Sequence, residues 1–489
     1  MAPPIGDEHD CAWHGYAEHL TQELDSTRKE LKTTQEQLDA LKGQFETLQR
    51  KIFGKRSEKM PPMDREIRRG KDVDQQQRLE QRRANAQSRA EQLQTEVVNV
   101  PVPKDQCRCP KCHGTEFSPL GEGKPSSVIE YISGYFRKRI FRRQTVSCSC
   151  GDYFITAPVP DKVFDRTQYG PSFIAYLVVA KCCDCLPLYR LERQFSRVGI
   201  PVARSSLTEL FNRAGELLIP LADAILQRVA QQSLVHADET PQPMQSGKRG
   251  FMWTFLSGNL IAYRFSPSRS GQTPKQVLAG TKGTLLVDMY TGYNVVTATG
   301  QRERAGCLAH VRRKFFDAKK DSPEAEVALE FIRQIYVIEA EVTSANLKGT
   351  DAHAELRWQQ TLPVMDKFYV WLSEQKALHP PKSGIGKAIR YTMKNWQALT
   401  RFIRNAEIPP DNNRAENALR VVALLRKNSL FVGNKDTGKN LAALLTVVAT
   451  CLANNIEPQA YLTDILTRLD STPASQIDLL MPQNWASRS

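Results

Sequence analysis

Hydrophobic residues change rhythm several times along the chain, and each change predicts a different element. From Ala17 to Ile52 they recur at alternating steps of three and four. Ala17, Leu24, Leu31, Leu38, Phe45 and Ile52 fall at one heptad position, and Leu20, Thr27, Thr34, Leu41 and Leu48 at the other. Glu, Gln and Lys fill the outer face and Gly43 is the one break, so the spacing predicts a coiled coil of about four heptads. The two threonines loosen its seam, and a single amphipathic helix folded back on its own chain would share the pattern. Periodicity then stops. Phe53-Gly-Lys-Arg-Ser-Glu-Lys59 and Pro61-Pro62 lead into a Gln/Arg-rich tract, with twelve Lys/Arg against seven Asp/Glu between Lys51 and Thr95. Such a stretch cannot form a core; it reads as a flexible basic linker able to lie along phosphates.

A helical rhythm returns from Tyr169. Pro171 to Lys181 and Leu188 to Val198 form two helical segments, Gly199-Ile-Pro201 turns the chain, and a third helix starts at Arg204 with Ser205 or Ser206 as its cap. This is the outline of a helix-turn-helix, although any three-helix bundle would share it. The period then drops toward two. Leu234 to Ala237 reads as a strand ending at Asp238. Gly250 to Ser257 and Asn259 to Phe265 read as a hairpin about Gly258-Asn259. Thr273 to Leu278 is a short helix, Gly283 to Val287 a strand ending at Asp288, and Asn294 to Thr299 a further strand, before a helix begins at Cys307. Residues 318–405 look almost wholly helical with one break at Pro380-Pro381, and Asp411 to Arg426 is helical and basic on one side. Three strands in series, a short helix and a fourth strand outline a ribonuclease-H-like mixed sheet interrupted by a helical insertion.

The expected fold class is therefore multidomain α+β: a ribonuclease-H-like core with a helical insertion, preceded by coiled coil, zinc ribbon and helix-turn-helix-like helical domain. The expected boundaries are a coiled coil over 1–53, a basic linker over 54–100, a zinc-binding domain over 101–160 and a helical DNA-binding domain over 161–230. The core would span 231–317 and 406–430, the insertion 318–405, and a small C-terminal domain 431–489. A chain of 489 residues is too long for one ordinary core.

Charge adds the partner. A net charge of +14 and a pI near 9.2 favour a polyanion, nucleic acid first. The N-terminus MAPPIGDEHD is polar and acidic, unlike a secretory leader. The longest near-apolar run, Leu441 to Ala453, is thirteen residues long, short of the roughly 20 a membrane span needs. No membrane is expected, and the compartment expected is the bacterial cytoplasm, with the protein associated with the nucleoid. Eleven cysteines in unequal clusters suit a reducing compartment with bound or free thiols.

Five of those cysteines stand as Cys107-Arg-Cys109-Pro-Lys-Cys112 and, 36 residues on, Cys148-Ser-Cys150. Cys109 and Cys112 have the two-residue gap that lets one turn present two thiolates to one ion. With Cys148 and Cys150 they would complete a tetrahedral sulfur site for structural zinc; Cys107 and His113 are spare candidates, and unliganded reduced thiols are the alternative. Between the pairs, Arg137, Lys138, Arg139, Arg142 and Arg143 interleave with Phe136, Ile140 and Phe141, a pattern that sets cations against a phosphate backbone. Cys182, Cys183 and Cys185, amid apolar neighbours, read as buried free thiols.

Asp238, Asp288 and Glu416 are the candidate chemistry. Phosphodiester hydrolysis needs an activated water and neutralisation of developing charge, which two divalent cations about 3.5–4 Å apart supply. Magnesium, or manganese, prefers carboxylate oxygens, so two or three Asp/Glu suffice. The separations of 50 and 128 residues are not specific in themselves. Glu239 and Asp411 compete, Asp411 as a natural helix N-cap, whereas Glu239 should point to the opposite face from Asp238. Arg204 in the helical domain, and Arg414 and Arg420 flanking Glu416, are candidates for holding phosphate.

The chain resembles the DDE transposases of the insertion-sequence-66 family. The resemblance rests on the leucine heptads followed by Phe53 to Lys59, the cysteine region, Leu186-Pro-Leu-Tyr-Arg190 and His236-Ala-Asp-Glu-Thr240. It continues through Asp288-Met-Tyr-Thr-Gly-Tyr293, Cys307-Leu-Ala-His-Val-Arg-Arg-Lys-Phe315, Asn413-Arg-Ala-Glu-Asn-Ala-Leu-Arg420 and Phe431-Val-Gly-Asn434 to Glu457-Pro-Gln-Ala-Tyr-Leu462. It implies Asp238, Asp288 and Glu416 as the catalytic triad and Cys307 and His310 as an accessory Cys-x-x-His pair. The compressed Cys148-Ser-Cys150 and the extra Cys107 depart from the family pattern. The implied activity is metal-dependent cleavage at the ends of a mobile element and transfer of the freed 3′ end to target DNA. The coiled coil would pair subunits into a homo-oligomer or recruit accessory proteins encoded by the same element. Two rival readings are a DNA-binding regulator without chemistry and a plain metal-dependent nuclease.

Overall fold

The computed structural model describes residues 167–485 apart from Thr299, together with residues 21–31, 33, 34, 136, 163 and 164 and the backbone of two short strands. Within the unit formed by residues 1–75, the described residues 21–31, 33 and 34 are helical and exposed. They fall in the heptad stretch, where Leu24 and Leu31 are 52% and 70% exposed. The remainder of the expected coiled coil, the basic linker, Cys107, Cys109, Cys112, Cys148 and Cys150, and the cations from Arg137 to Arg143 lie outside the described residues. In the second unit, the first described strands form a two-stranded antiparallel ladder, β1 (Thr145–Ser147) and β2 (Phe154–Thr156).

Three helices follow: α1 (Pro171–Cys182), α2 (Leu188–Arg197) and α3 (Arg204–Ala230). The capping serine expected for α3 is absent from that role; Ala203 is the N-cap and makes no side-chain bond. Glu192 on α2 substitutes for it. Its carboxylate accepts the Arg204 backbone N–H and the Arg204 guanidinium, satisfying one of the amides a helix start leaves open. Cys182 and Cys185 are buried free thiols, and Cys183 is a half-buried one.

A five-stranded sheet in the order β5-β4-β3-β6-β7 is the centre of the unit. Its strands are β3 (Leu234–Pro243), β4 (Arg249–Ser257), β5 (Leu260–Ser266), β6 (Gly283–Leu286) and β7 (Arg302–Ala305). The first three run antiparallel, and β3, β6 and β7 are parallel. This mixed arrangement fits a ribonuclease-H-like core. Among the described residues no helix is long and apolar enough to cross a membrane.

Three expectations change. β3 does not stop at Asp238 but continues to Pro243. Its pairing with β6 ends at His236; beyond it Arg426 donates to the Pro241 carbonyl and the Val432 N–H donates to the Pro243 carbonyl at 2.9 Å, and Pro241 and Pro243 forfeit no ladder bond with β6 there. The strand expected over residues 294–299 is instead a short helix, α5 (Asn294–Thr297), after α4 (Gln272–Leu278) and a 3₁₀ turn at Thr291–Tyr293. The pairing strand, β7, comes later and carries a fully buried charge. Arg302 is held by the Thr281 hydroxyl and the carbonyls of Thr284, Ala230 and Gln232. The helical insertion is broken at more places than Pro380-Pro381. It follows α6 (Leu308–Ala318) and comprises α7 (Ala325–Ser344), α8 (Asp351–Leu356), a π-turn (Arg357–Thr361), α9 (Leu362–Leu378), α10 (Gly384–Lys394) and α11 (Trp396–Leu399). It has its own core about Phe315, Ile332, Phe368 and Ile389, which reaches the sheet through Leu286 and Ala305.

The chain returns in α12 (Asn413–Asn428), which packs on β3, and then α13 (Lys435–Ala453) and α14 (Pro458–Arg468). α13 covers the open edge of β5. Thr446 accepts the Tyr263 N–H, and Thr450 accepts from Ile261 N–H and donates to Ile261 C=O, removing an edge that could pair with another chain. Its apolar face shares one core with α1, α3 and the sheet.

Gly283 starts β6 at φ +120°, and a Cβ there would lie 2.1 Å from the Ser233 carbonyl oxygen. Gly283→Ala is expected to destabilise the protein by about 2–4 kcal/mol, read as a lower urea midpoint at unchanged slope.

Candidate active site

Three candidate residues follow one row of the sheet. His236, Leu286 and Ala305 are partners across the parallel strands β3, β6 and β7. Asp238 lies two residues further along β3, and Asp288 and Cys307 lie two residues past the ends of β6 and β7. The face that Asp238 occupies is identified by its neighbours. Asp238 is in register with Thr254 and, through it, Tyr263, whose hydroxyl donates to the Ala418 carbonyl of α12 at 2.7 Å. Glu239 is in register with Trp253 and Arg264, and Arg264 pairs with Asp223 of α3 on the opposite face.

α12 supplies the third carboxylate. Glu416 lies in its first turn, and its Oε1 sits 3.7 Å from His310 Nδ1 while Oε2 sits 3.7 Å from Arg313. Cys307 caps α6, with His310 one turn inside it. The thiol and one ligand atom each of His310 and Glu416 lie within 4.8 Å of one another. Asp238, Asp288 and Glu416 are within electrostatic reach. Burial, then repulsion from Glu239, Asp288 and Glu416, pushes Asp238 up to about 7, opposed by the Glu239 N–H that its own carboxylate accepts. Asp288 accepts the Tyr290 N–H at 2.9 Å, a turn that fixes the side chain where β6 gives way to a loop.

Asn412, the residue before α12, locks these pieces together and was not singled out by sequence. Its side-chain amide donates to the Ala237 carbonyl at 2.8 Å, its Oδ1 faces His236 Nδ1 at 3.1 Å, and its backbone N–H donates to the Cys307 thiol at 3.2 Å. Leu308 N–H donates to Pro410 C=O beside it. Asp411, the expected N-cap, sits one residue outside the capping position; it accepts the Asn413 N–H and the Tyr336 hydroxyl. The repeated Asx residues in Asp411-Asn-Asn413 are the only signal sequence offered.

His236 is 1% exposed. Burial and the neighbouring Arg414 hold it down at about 4 against an ordinary 6.5, opposed by the bond to Asn412. It is neutral at pH 7 and donates from Nδ1. A depressed folded value means its contribution to stability is intact above pH 6.5 and lost as the pH falls toward 4. The fall in urea midpoint between pH 6.5 and pH 5 is therefore expected to be smaller in His236→Gln than in the parent.

Glu239 belongs to a separate arrangement. Its carboxylate is 1% exposed, pairs with Arg269 at 2.7 Å and accepts the Tyr293 hydroxyl at 2.6 Å; Arg269 also stacks over Tyr290. The candidate phosphate-holding arginines divide. Arg204 is paired with Glu192, Arg414 donates to the Gly258 carbonyl at the hairpin turn, and Arg420 is exposed on α12. Arg313, at the Glu416 carboxylate, was missed.

The donor chemistry fits divalent cations. Asp238 stands within β3 just past its pairing with β6, Asp288 follows the end of β6, and Glu416 Oε1 is buried with no hydrogen-bond partner, as is His310 Nδ1.

Comparison with known proteins adds to this geometry. Residues 166–440 match the family model described as Transposase IS66 family, and residues 446–483 match that described as IS66 C-terminal element. Three proteins of Sinorhizobium fredii (strain NBRC 101917 / NGR234) are similar over about four-fifths of the chain. The uncharacterized protein y4qI is 33% identical over 416 residues, covering 80% of this chain and 75% of its own. The corresponding values are 30% over 412 residues, 79% and 80% for the uncharacterized protein y4jD, and 28% over 417 residues, 79% and 74% for the uncharacterized protein y4hP.

Proposed function

Because this chain belongs to the IS66 family of transposases, we propose that it binds the ends of its insertion sequence and uses Asp238, Asp288 and Glu416 to cut and rejoin DNA. The observation that carries this is that Asp238 on β3 feels the charges of both Asp288, in the loop after β6, and Glu416, in the first turn of α12. Two magnesium or manganese ions held by these carboxylates would supply nucleophile activation and stabilise the departing oxygen. The chain's own residues do the rest. Asn412 fixes the separation of β3 from α12, so the carboxylates meet without reorganising. Arg313, on the exposed side of Glu416, and Arg420 orient phosphate oxygens. The insertion packs over β6 and β7 and walls one side of the site.

The net charge of +14 supports DNA as the partner, for element ends and for target. The cations from Arg137 to Arg143, on a zinc ribbon held by Cys109, Cys112, Cys148 and Cys150, and the helical segments about Arg204 would hold the terminal repeats. The heptads would join copies of the chain or accept proteins encoded by the same element, in the bacterial cytoplasm at the nucleoid.

End-joining on labelled duplexes tests the reading. Product in which an element 3′ end is covalently joined to target, in preference to unrelated ends, supports it. Cleavage without joining and without end preference would make the protein a plain nuclease. Binding with neither reaction would make it a regulator.

A further inference from the structure

The carboxylate site leaves an adjoining constellation unexplained. Cys307 is 1% exposed and lies two residues past the end of β7, next to the start of α6. One backbone amide, that of Asn412, donates to its sulfur at 3.2 Å. Opposite it, His310 Nδ1 and Glu416 Oε1 are both buried and both lack a hydrogen-bond partner, at 3.7 Å from one another. Among the described residues this is the single cluster in which thiol, imidazole and carboxylate atoms all fall within 4.8 Å.

A buried imidazole nitrogen and a buried carboxylate oxygen that both lack partners each forfeit the hydrogen bonds water would supply. A water bridging the two would account for the imidazole and the carboxylate but not for the thiol that lies within 4.8 Å of both. The Asn412 N–H aimed at the sulfur stabilises charge on it, as outer-shell donors do for a metal-bound thiolate. We propose that Cys307, His310 and Glu416 form a site for a thiophilic divalent cation of the zinc class, distinct in donor chemistry from the oxygen-only pair Asp238 and Asp288.

Sulfur and imidazole donors favour zinc-like ions over magnesium, whereas the neighbouring aspartates favour the reverse. Bond lengths of about 2.0–2.3 Å put tetrahedral ligand atoms roughly 3.3–3.8 Å apart, so the observed cluster needs about 1 Å of inward movement. Binding forms a metal–sulfur bond and releases the Cys307 thiol proton to solvent, making uptake weaker at low pH. Three protein ligands leave a fourth position for water. The ion joins the first turn of α6 to the first turn of α12 and fixes Glu416 through Oε1. Oε2, on the Arg313 side, stays available to the proposed catalytic ions.

Cobalt(II) is the probe, added to metal-depleted full-length protein, with bound cobalt counted after desalting and thiolate-to-cobalt charge transfer followed in the near ultraviolet. Cys307→Ser and His310→Gln are each expected to bind about one cobalt fewer than the parent, and Cys307→Ser to lose part of the charge-transfer intensity. Equal cobalt content and an unchanged spectrum in both variants would overturn the site and leave water in the gap. If Cys307→Ser does not fold, His310→Gln decides by itself, since His310 is half-exposed in the first turn of α6. The outcome is separable from that of the proposed activity. Lost cobalt with no end-joining in the parent leaves the site standing without the reaction, and joining with unchanged cobalt does the opposite.

Discussion

Asp238→Asn is expected to abolish end-joining, a loss well beyond the roughly 10–100-fold that removing an outer-shell partner of a metal ligand costs, while making the metal-free protein melt at a higher temperature at pH 8. Both effects have one cause. Burial, and then repulsion from Glu239, Asp288 and Glu416, raises this carboxyl to about 7 against an ordinary 3.8. A raised folded value means the contribution to stability is present below pH 3.8 and lost as the pH rises through 7. The isosteric amide carries no charge, so it removes both the repulsion and the pH dependence over that window. Glu239→Gln is the control in the next residue. It keeps an oxygen for the Tyr293 hydroxyl and weakens only the Arg269 pair, so joining should fall far less. Scanning calorimetry at pH 5 and pH 8, beside the joining assay, checks both halves.

Asn412→Ala is expected to be the most damaging change outside the carboxylates. It leaves the His236 ring N–H and the Ala237 carbonyl buried and unpaired, a loss of about 2–4 kcal/mol. It also frees α12 from β3, so joining should fall by about 10–100-fold even where the protein remains folded. Asn412→Asp separates position from stability. The carboxylate can still face His236 Nδ1 and raises the ring's affinity for a proton, but it cannot donate to Ala237 C=O. The histidine's titration, followed by NMR, should move upward from about 4. A role confined to packing would leave that titration unmoved.

How much of this could be read from the chain depends on whether the cause is local. The strands leading to Asp238 and Asp288 are short apolar runs meeting an acid, and period-two alternation already assigns Asp238 and Glu239 to opposite faces. The hairpin at Gly258-Asn259 and the helix starting beside Cys307 are also local signals. The rest depends on partners far off in sequence. β7 escapes notice because its first residue is a buried arginine, tolerable only where carbonyls from α3 and the loop after it converge on the guanidinium. β3 outruns its apolar stretch because β4 pairs it through both prolines. The start of α3 has no capping side chain of its own because Glu192, twelve residues earlier, fills that role. Asn412 is the fullest example. It is one of three consecutive Asx residues, and only the meeting of β3, Cys307 and α12 distinguishes it.

The central claim is that three carboxylates, contributed by β3, the loop after β6 and α12, act as one metal-dependent unit. Single-turnover joining of a labelled element end in magnesium, compared across Asp238→Asn, Asp288→Asn, Glu416→Gln and the triple variant, tests it most directly. Residues that act as a unit are strongly non-additive, so each single change should abolish joining about as completely as all three together. Joining that persists at a substantial rate in any one of the single variants, or that falls stepwise as the changes are combined, would contradict the account.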